Sequence, residues 1–302
     1  MTLLNYINQD TIKELNNYLA LKNPPGLILQ GIHGLGKRNA ANYLAAKLLN
    51  TTPDLLKINP DFYELHDTKQ VKVEDISELL VICNRHSVGK RKIIIIDDAH
   101  TITPATQNRL LKVLEDQAEK NIIIMICEKD LLLSTIKSRC YSISFHPYQE
   151  KGIQNLFKDY KIAEEYWDFL GFLIENAPYA FINNQELIKE YIQQYDKVME
   201  ITMREDILSL FHFLKEKDSN EFFSVHSENP EWNIRIILFP FYKMIQDAQL
   251  QINSNFNFPY NLYSYEQAMS ILQYGMEHLR LANRLYTKND YFNLLRFIIQ
   301  AK

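Results

Sequence analysis

The sequence predicts a parallel three-layer α/β domain with a five-stranded sheet, followed by a half that is entirely helical. An apolar run at 26–29 leads through a glycine-rich loop into a helical pattern at 39–49. Four consecutive isoleucines precede the acidic pair Asp97-Asp98, as in a strand buried on both faces. After Pro147 no strand-like run follows, and apolar residues recur at helical spacing. These three observations predict the fold class.

The other elements of the α/β half follow from local patterns. Asp10 can cap a first helix that runs to about Ala20. Thr103 followed by Pro104 is typical of a helix start, with proline at the first helical position. Further helices are predicted at 73–84 and 131–137. The predicted strands are 26–29, 61–66, 92–96, 122–127 and 141–145.

The helical half is predicted to form two domains. A small helical lid would comprise the helices 151–160, 164–175 and 184–195. A larger all-α domain would comprise the helices 204–217, 234–250, 265–287 and 290–301. We therefore predict domains at 1–146, 147–198 and 199–302.

Composition excludes several classes of protein. The chain has 302 residues and a net charge of −4, so it lacks the overall basic field of a protein that binds nucleic acid through charge alone. Its three cysteines, Cys83, Cys127 and Cys140, form no C-x-x-C pair, which argues against a zinc ribbon or a disulfide framework. The first residues do not resemble a signal peptide, and no apolar run approaches a membrane-spanning length. We expect a soluble, cytoplasmic protein.

The loop GIHGLGKR is the main candidate site. It fits the phosphate-binding pattern G-x-x-x-x-G-K-[ST] at every fixed position except the last. Gly31, Gly34 and Gly36 would let backbone N–H groups turn toward an anion, and Lys37 would reach the terminal phosphates. The hydroxyl that normally holds Mg²⁺ is replaced by Arg38, which has no lone pair to offer a metal. A glycine-rich turn without a ligand is the simpler alternative, but the flanking strand and helix favour a relic nucleotide site.

The two acidic residues after the isoleucine run are the second candidate. Asp97 and Asp98 fall at the carboxyl end of a predicted parallel strand, where open α/β sheets place their ligands. In P-loop ATPases the first acid orients Mg²⁺ and the second acts on the attacking water. An acidic strand-to-loop turn is the alternative interpretation, and only the pairing with the glycine loop favours a site.

The motifs together resemble the delta-prime subunits of the bacterial DNA polymerase III clamp loader, which are AAA+ proteins. The resemblance is strong over residues 24–145 and weak in the helical half. It ends in the tripeptide Ser138-Arg139-Cys140, its most specific part. The matching segments, in order, are 31–37, 59–61, 73–76, 94–99, 108–115 and 133–140, with a weaker one at 289–295.

Three departures separate the chain from the ATPase subunits of that loader, gamma and tau. The four-cysteine zinc module of those subunits is missing, since the interval from loop to acidic pair contains only Cys83. Arg38 replaces the Ser or Thr of the loop, and the fourth predicted strand ends in Cys127-Glu128 where a Thr, Ser or Asn would sense phosphate. The 176–182 segment also shows no clear sensor arginine. These losses predict a subunit that does not turn over ATP.

The resemblance implies a role for Arg139 as well. In AAA+ rings an arginine at this position enters the neighbour's site and stabilises charge in phosphoryl transfer. The alternative is an arginine paired with a carboxylate of its own domain.

The implied function is that of a non-catalytic clamp-loader subunit in the polymerase III holoenzyme, whose nucleotidyltransferase activity lies in another subunit. The resemblance also implies that the all-α domain at 199–302 is a helical collar through which the subunits oligomerise. The implied partners are the gamma/tau ATPase subunits, the delta subunit, the sliding clamp and, through the complex, primed DNA, with no membrane. No cofactor would be required. An active AAA+ ATPase is the rival hypothesis, and binding of ATP, ADP or phosphate without Mg²⁺ is a third.

Overall fold

The computed structural model describes residues 6–65, 73–116, 120–203, 230–249, 263–281, 293–294, 296–298 and 300. The predicted helix 204–217 lies outside the described residues, as do most of 290–301 and of the weakly matching segment 289–295. The chain divides into two compact units. Unit 1 comprises Met1–Ile153 and Ala177–Asn183, and unit 2 comprises Gln154–Asn176 and Asn184–Lys302.

Unit 1 is built on one parallel sheet of five strands in the order β2-β3-β4-β1-β5. This confirms the predicted fold class of the first half. The strands are β1 Gly26–Gln30, β2 Phe62–Leu65, β3 Lys92–Ile96, β4 Asn121–Cys127 and β5 Cys140–Ser144.

The isoleucine run forms the centre of the core. Ile94 and Ile96 pack into a cluster with Leu79 and Leu110, which lie on two of the helices. Ile93 and Ile95 point the opposite way, because side chains alternate along a strand, and they are fully buried too. The predicted burial of β3 on both faces is confirmed. The helices of this part are α1 Gln9–Leu19, α2 Lys37–Leu48, α3 Val73–Asn84, α4 Pro104–Asp116 and α5 Ser134–Lys137.

The strand order determines where a site can form. β4 lies between β1 and β3, so the loop after β1 and the acids after β3 emerge at the same edge of the sheet. The N–H of Gly31 donates to the carbonyl of Cys127 at 3.1 Å, which fixes the start of the loop against the end of β4. The carboxyl ends of the central strands therefore meet at the candidate site, as expected for an open α/β sheet.

Several predicted helix starts differ from the structure, and two of them have a local reason. The first helix is capped by Asn8, whose side chain accepts from the N–H of Asp10 at 3.0 Å, so Asp10 lies in the first turn and is not the cap. α5 begins at Ser134 rather than at 131, because Leu133 has extended backbone angles. Thr103 caps α4 as predicted, with its hydroxyl oxygen 3.4 Å from the N–H of Thr106.

All regular secondary-structure elements among the described residues of unit 2 are helices. Within it, the ring of Phe169 lies 5.4 Å from that of Phe239, and Phe172 stacks on Tyr242 at 4.5 Å. Residues of the predicted lid thus pack with a later helix in one compact unit, while the predicted boundaries at 146 and 198 remain predictions. The helices of the second half of the chain are α6 Glu150–Asp159, α7 Trp167–Leu173, α8 Pro178–Ile182, α9 Gln185–Met203, α10 Pro230–Gln249 and α11 Tyr265–Leu281.

Within the part of the chain that the structure describes, no helix combines the length and apolar character needed to cross a bilayer.

Candidate functional site

The glycine loop connects β1 to α2 and is held in a tight turn. Gly34 and Gly36 have φ of +78° and +85°, a region that favours glycine, and Gly36 is the N-cap of α2. The loop also packs closely on α8, which belongs to the same unit. A Cβ on Gly34 would lie 2.6 Å from the Cβ of Ala180, and one on Gly36 would lie 2.5 Å from the ring of Tyr179. The N–H of Tyr179 donates to the carbonyl of Gly34 at 2.8 Å.

The ammonium group of Lys37 is turned back onto the loop. Its Nζ donates to the carbonyl oxygens of Gly31 at 2.7 Å and Ile32 at 2.6 Å. The residue is 5% exposed, and burial lowers the pKa of Lys37, against the opposing influence of the Glu128 and Asp97 carboxylates. The lysine that would contact a phosphate is therefore bonded to its own loop.

Arg38 lies between two carboxylates at adjacent strand ends. Its Nε donates to Asp97 Oδ2 at 3.1 Å, Nη2 contacts the same oxygen, and Nη1 forms an ion pair with Glu64. The parallel pairing of β2 with β3 brings Glu64 to this edge, opposite Ile95. The side chains of Arg38 and Glu64 are 27% and 12% exposed, so the ion pair is largely shielded from water.

These contacts do not fit a P-loop magnesium site. Mg²⁺ requires oxygen ligands in near-octahedral geometry, and a guanidinium supplies none. The carboxylate of Asp97, which would orient the metal, is instead neutralised by Arg38. Arg38 instead places a permanent positive charge at the position where a P-loop site would need a metal ion.

The second acid begins a turn. Asp98 has a left-handed backbone with φ of +47°, and its N–H donates to Asp97 Oδ1 at 3.0 Å. Its carbonyl accepts from both the N–H and the hydroxyl of Thr101 at 2.8 Å. Asp98 therefore also has a structural role, because it begins the short helix Ala99–Thr101 that precedes α4.

Glu128 connects the end of β4 to the glycine loop. Its Oε1 is 3.0 Å from His33 Nδ1, and its N–H lies 3.4 Å from His100 Nδ1. The hydrogen bond to Glu128 is the main reason that the pKa of His33 is raised. Burial acts to raise the pKa of Glu128, but the bond and charge of His33, together with Lys37, lower it. The residue that directly follows β4 is thus an acid paired with the loop.

Arg139 lies at the opposite end of the sheet from this site. It directly precedes β5, whose pairing with β1 places Cys140 beside Gly26 and Ser144 beside Gln30. Five residues of strand, roughly 17 Å at about 3.3 Å each, separate it from the loop of its own chain. That is farther than an arginine side chain extends, so Arg139 cannot act on a ligand in its own loop.

At the surface, Arg139 has partners within its own domain. Its Nη2 is 2.5 Å from Glu115 Oε1, and its Nη1 donates to the Thr135 carbonyl at 3.0 Å. Arg139 is therefore paired with a carboxylate of its own domain, as the alternative interpretation expects. Its side chain is still 39% exposed to solvent.

The structure brings seven of the predicted site residues to one edge of the sheet and leaves the eighth, Arg139, at the other. The seven are Gly31, Gly34, Gly36, Lys37, Arg38, Asp97 and Asp98. Sequence reasoning did not single out Glu64 or Tyr179 as part of this site. Glu64 lies in the short predicted strand 61–66. An acidic residue within a strand of a parallel sheet was a signal that could have pointed to a cation partner. The segment 176–182, which includes Tyr179, was considered only as a place for a sensor arginine and not for a packing contact with the loop.

A comparison with known protein families finds a match in the first half of the chain. A family model described as "DNA polymerase III, delta subunit" matches residues 7–149. The chain is 27% identical to the replication factor C small subunit of Methanococcus vannielii over 155 residues, 50% of this chain and 48% of that protein. Residues 7–149, just under half of the chain, are therefore similar to that family.

Bacterial proteins are similar to the chain over comparable lengths. The chain is 30% identical to DNA polymerase III subunit delta' of Pseudomonas aeruginosa over 132 residues, covering 37% of this chain and 40% of that protein. It is 30% identical to DNA polymerase III subunit gamma/tau of Mycoplasma pneumoniae over 175 residues, covering 52% of this chain and 25% of that protein. The chain spans half or less of the length of these relatives.

A solved structure shares the fold. A DNA polymerase III gamma subunit-related protein from Thermotoga maritima aligns with a TM-score of 0.53 and 18% identity, covering 97% of this chain and all of that one. At this identity the likeness is one of fold alone.

The pair formed by His33 and Glu128 predicts a pH dependence. The raised pKa of His33 gives a contribution to stability that is complete below its ordinary value of 6.5 and is lost as pH rises through the folded value. The lowered pKa of Glu128 gives one that is complete above 4.5 and is lost as pH falls through the folded value. The pair therefore stabilises the domain most between these two values.

The NMR titration of the His33 imidazole tests this directly. Glu128→Gln should lower the pKa of His33 toward 6.5, since the amide carries no charge. Glu186→Gln, at an exposed pair with Lys189, should leave the titration of His33 unchanged. A pKa of His33 that is the same with and without the Glu128 carboxylate would contradict the contact.

Proposed function

We propose that this chain is a non-catalytic, delta-prime-like subunit of a bacterial replicative clamp loader. In this role it helps to load the sliding clamp onto primed DNA, in the cytoplasm, within the polymerase III holoenzyme. Its partners would be the gamma/tau ATPase subunits, the delta subunit, the clamp and, through the complex, the DNA. The match of residues 7–149 to the clamp-loader family supports the class of protein, and the geometry of the loop supports the non-catalytic role.

The contact of Arg38 with Asp97 and Glu64 carries this proposal. Two carboxylates at adjacent strand ends repel one another unless a cation lies between them, and here the cation is a side chain. Breaking a buried ion pair by removing one partner costs about 3–5 kcal/mol, and a partly exposed one costs less. A metal would have to displace Arg38 against this cost and would gain no hydroxyl ligand. The chain is therefore not expected to hydrolyse ATP.

Arg139 supports the second part of the proposal. It is too far from its own loop to act there, yet it is exposed at the edge of the domain. Its ion pair with Glu115 is at the surface, where such pairs contribute about 0–1 kcal/mol, and it leaves the Arg139 side chain 39% exposed and accessible to a phosphate. We assign Arg139 to the nucleotide site of a neighbouring ATPase subunit.

An active, gamma/tau-like ATPase is the alternative function. The glycine loop, Lys37 and both acids are present at one edge of the sheet, and a gamma/tau subunit is among the similar proteins. Binding of ATP, ADP or phosphate without a metal is a further alternative, because the loop keeps its glycines. No cofactor is required in the non-catalytic role.

The substitution Arg38→Thr tests the non-catalytic role in the isolated chain. It should lower the melting temperature by about 2–6 °C, since it leaves Asp97 and Glu64 unneutralised at a cost of roughly 1–2 kcal/mol. Because the variant restores a hydroxyl, ATP with Mg²⁺ should raise its melting temperature more than ATP with EDTA does. Differential scanning fluorimetry measures both effects.

Arg38→Lys is the matched control, since it keeps the positive charge and offers no metal ligand, and Mg²⁺ should not stabilise it. The wild-type chain should likewise show no response to Mg²⁺ and no turnover. Magnesium-dependent hydrolysis by the wild-type chain that Lys37→Ala abolishes would favour the active ATPase.

Arg139→Ala tests the role in trans, in the complex reconstituted with its ATPase and delta subunits. The fold and assembly should be unchanged, because the lost surface contacts are weak. DNA-stimulated ATP hydrolysis at the neighbouring site should fall by about 10³–10⁵-fold. The total hydrolysis rate of the complex should fall by the fraction that this one site contributes.

Lys137→Ala, which removes an exposed cation from the same short helix, is the control and should leave hydrolysis unchanged. Undiminished hydrolysis with Arg139→Ala would exclude the assigned role.

A further inference from the structure

The ion pair between Glu115 and Arg139 joins two segments at the edge of the AAA+ domain. Glu115 lies in the last turn of α4, and Arg139 follows α5 directly. Their charged groups are 2.5 Å apart, and the side chains are 47% and 39% exposed. The pair therefore fixes the arginine without burying it.

The position of Glu115 is unfavourable for the helix that carries it. The C-terminus of a helix carries partial negative charge, so an acidic side chain in the last turn costs about 0.3–1 kcal/mol at low ionic strength. The last turn of α4 contains no basic residue that would offset this. Among the described residues, the ion pair with Arg139 supplies a positive charge that offsets this cost.

The guanidinium is held at both of its terminal nitrogens. Nη2 contacts Glu115, while Nη1 donates to the Thr135 carbonyl at 3.0 Å and lies 3.4 Å from the Ser138 hydroxyl. An arginine has four rotatable bonds, and the entropy of fixing them opposes any new contact. Contacts that restrict the side chain beforehand reduce the entropy lost when it meets a ligand.

We infer that Glu115 is a positioning residue, which holds Arg139 in the orientation in which it enters the neighbouring subunit's nucleotide site. The inference rests on the proposed function, because it assigns a residue that acts through Arg139. Glu115 itself would not touch the nucleotide. Its carboxylate holds one edge of the guanidinium and leaves the side chain accessible to an incoming phosphate group.

A double-mutant cycle in the reconstituted complex tests the inference. All nucleotide sites except the one facing Arg139 are disabled in the partner subunits, so that the measured kcat reports one site. Glu115→Ala should lower that kcat about two- to fivefold, the range that the loss of an exposed ion pair gives. Glu115→Gln keeps an acceptor oxygen of the same shape and should stay closer to the wild-type value than the alanine variant does.

The background of Arg139→Ala separates positioning from a general effect on the fold. In that background Glu115→Ala should cause no further loss, because the residue it positions is gone. Asp130→Asn disturbs the ion pair with Lys137 on the same short helix and should leave kcat unchanged in either background.

The outcomes distinguish the inference from the function on which it rests. If Arg139→Ala lowers kcat and Glu115→Ala does not, the positioning role is wrong and the proposed function stands. An equal loss of kcat from Glu115→Ala in both backgrounds would show that Glu115 has only a structural role. A rise in kcat would show that Glu115 restrains the arginine. Either result overturns the inference. If Arg139→Ala has no effect, both are overturned.

Discussion

A single guanidinium between two carboxylates sets the character of the candidate site. Glu64 lies in β2, and Asp97 directly follows the neighbouring parallel strand β3. Their negative charges would repel each other without a cation between them. In P-loop enzymes a divalent ion supplies this charge and arrives with the nucleotide. Here Arg38 supplies it permanently from the first turn of α2. The arrangement of the site therefore does not depend on a bound ion.

The other groups that could meet a phosphate are also engaged within the protein. Lys37 is bonded to two carbonyl oxygens of its own loop. Gly34 and Gly36 leave no room for a side chain because Ala180 and Tyr179 pack against them. The glycines that the motif explains by phosphate binding are thus required by packing as well. A loop stabilised in this way can keep its shape without a bound phosphate.

Local sequence patterns predicted the sheet and the loop well, since both depend on near neighbours. The run of isoleucines, the strand–loop–helix order and the missing hydroxyl at Arg38 could all be read directly. The ion pair with Glu64 could not, because it depends on which strands lie side by side, and residues 38 and 64 are brought together only by the sheet. The contact of Tyr179 with the loop depends on chain folding over more than 140 residues. The cap at Asn8 was missed because Asp10 two residues later is equally suited to that role.

We propose that Arg38 takes the place of the metal, and a crystal structure of the wild-type chain grown with ATP and Mg²⁺ tests this most directly. We expect the guanidinium to remain between Asp97 and Glu64, with no metal bound to Asp97, whether or not nucleotide is present in the loop. An octahedrally coordinated Mg²⁺ bridging Asp97 and the phosphates, with Arg38 turned away from both carboxylates, would contradict the account.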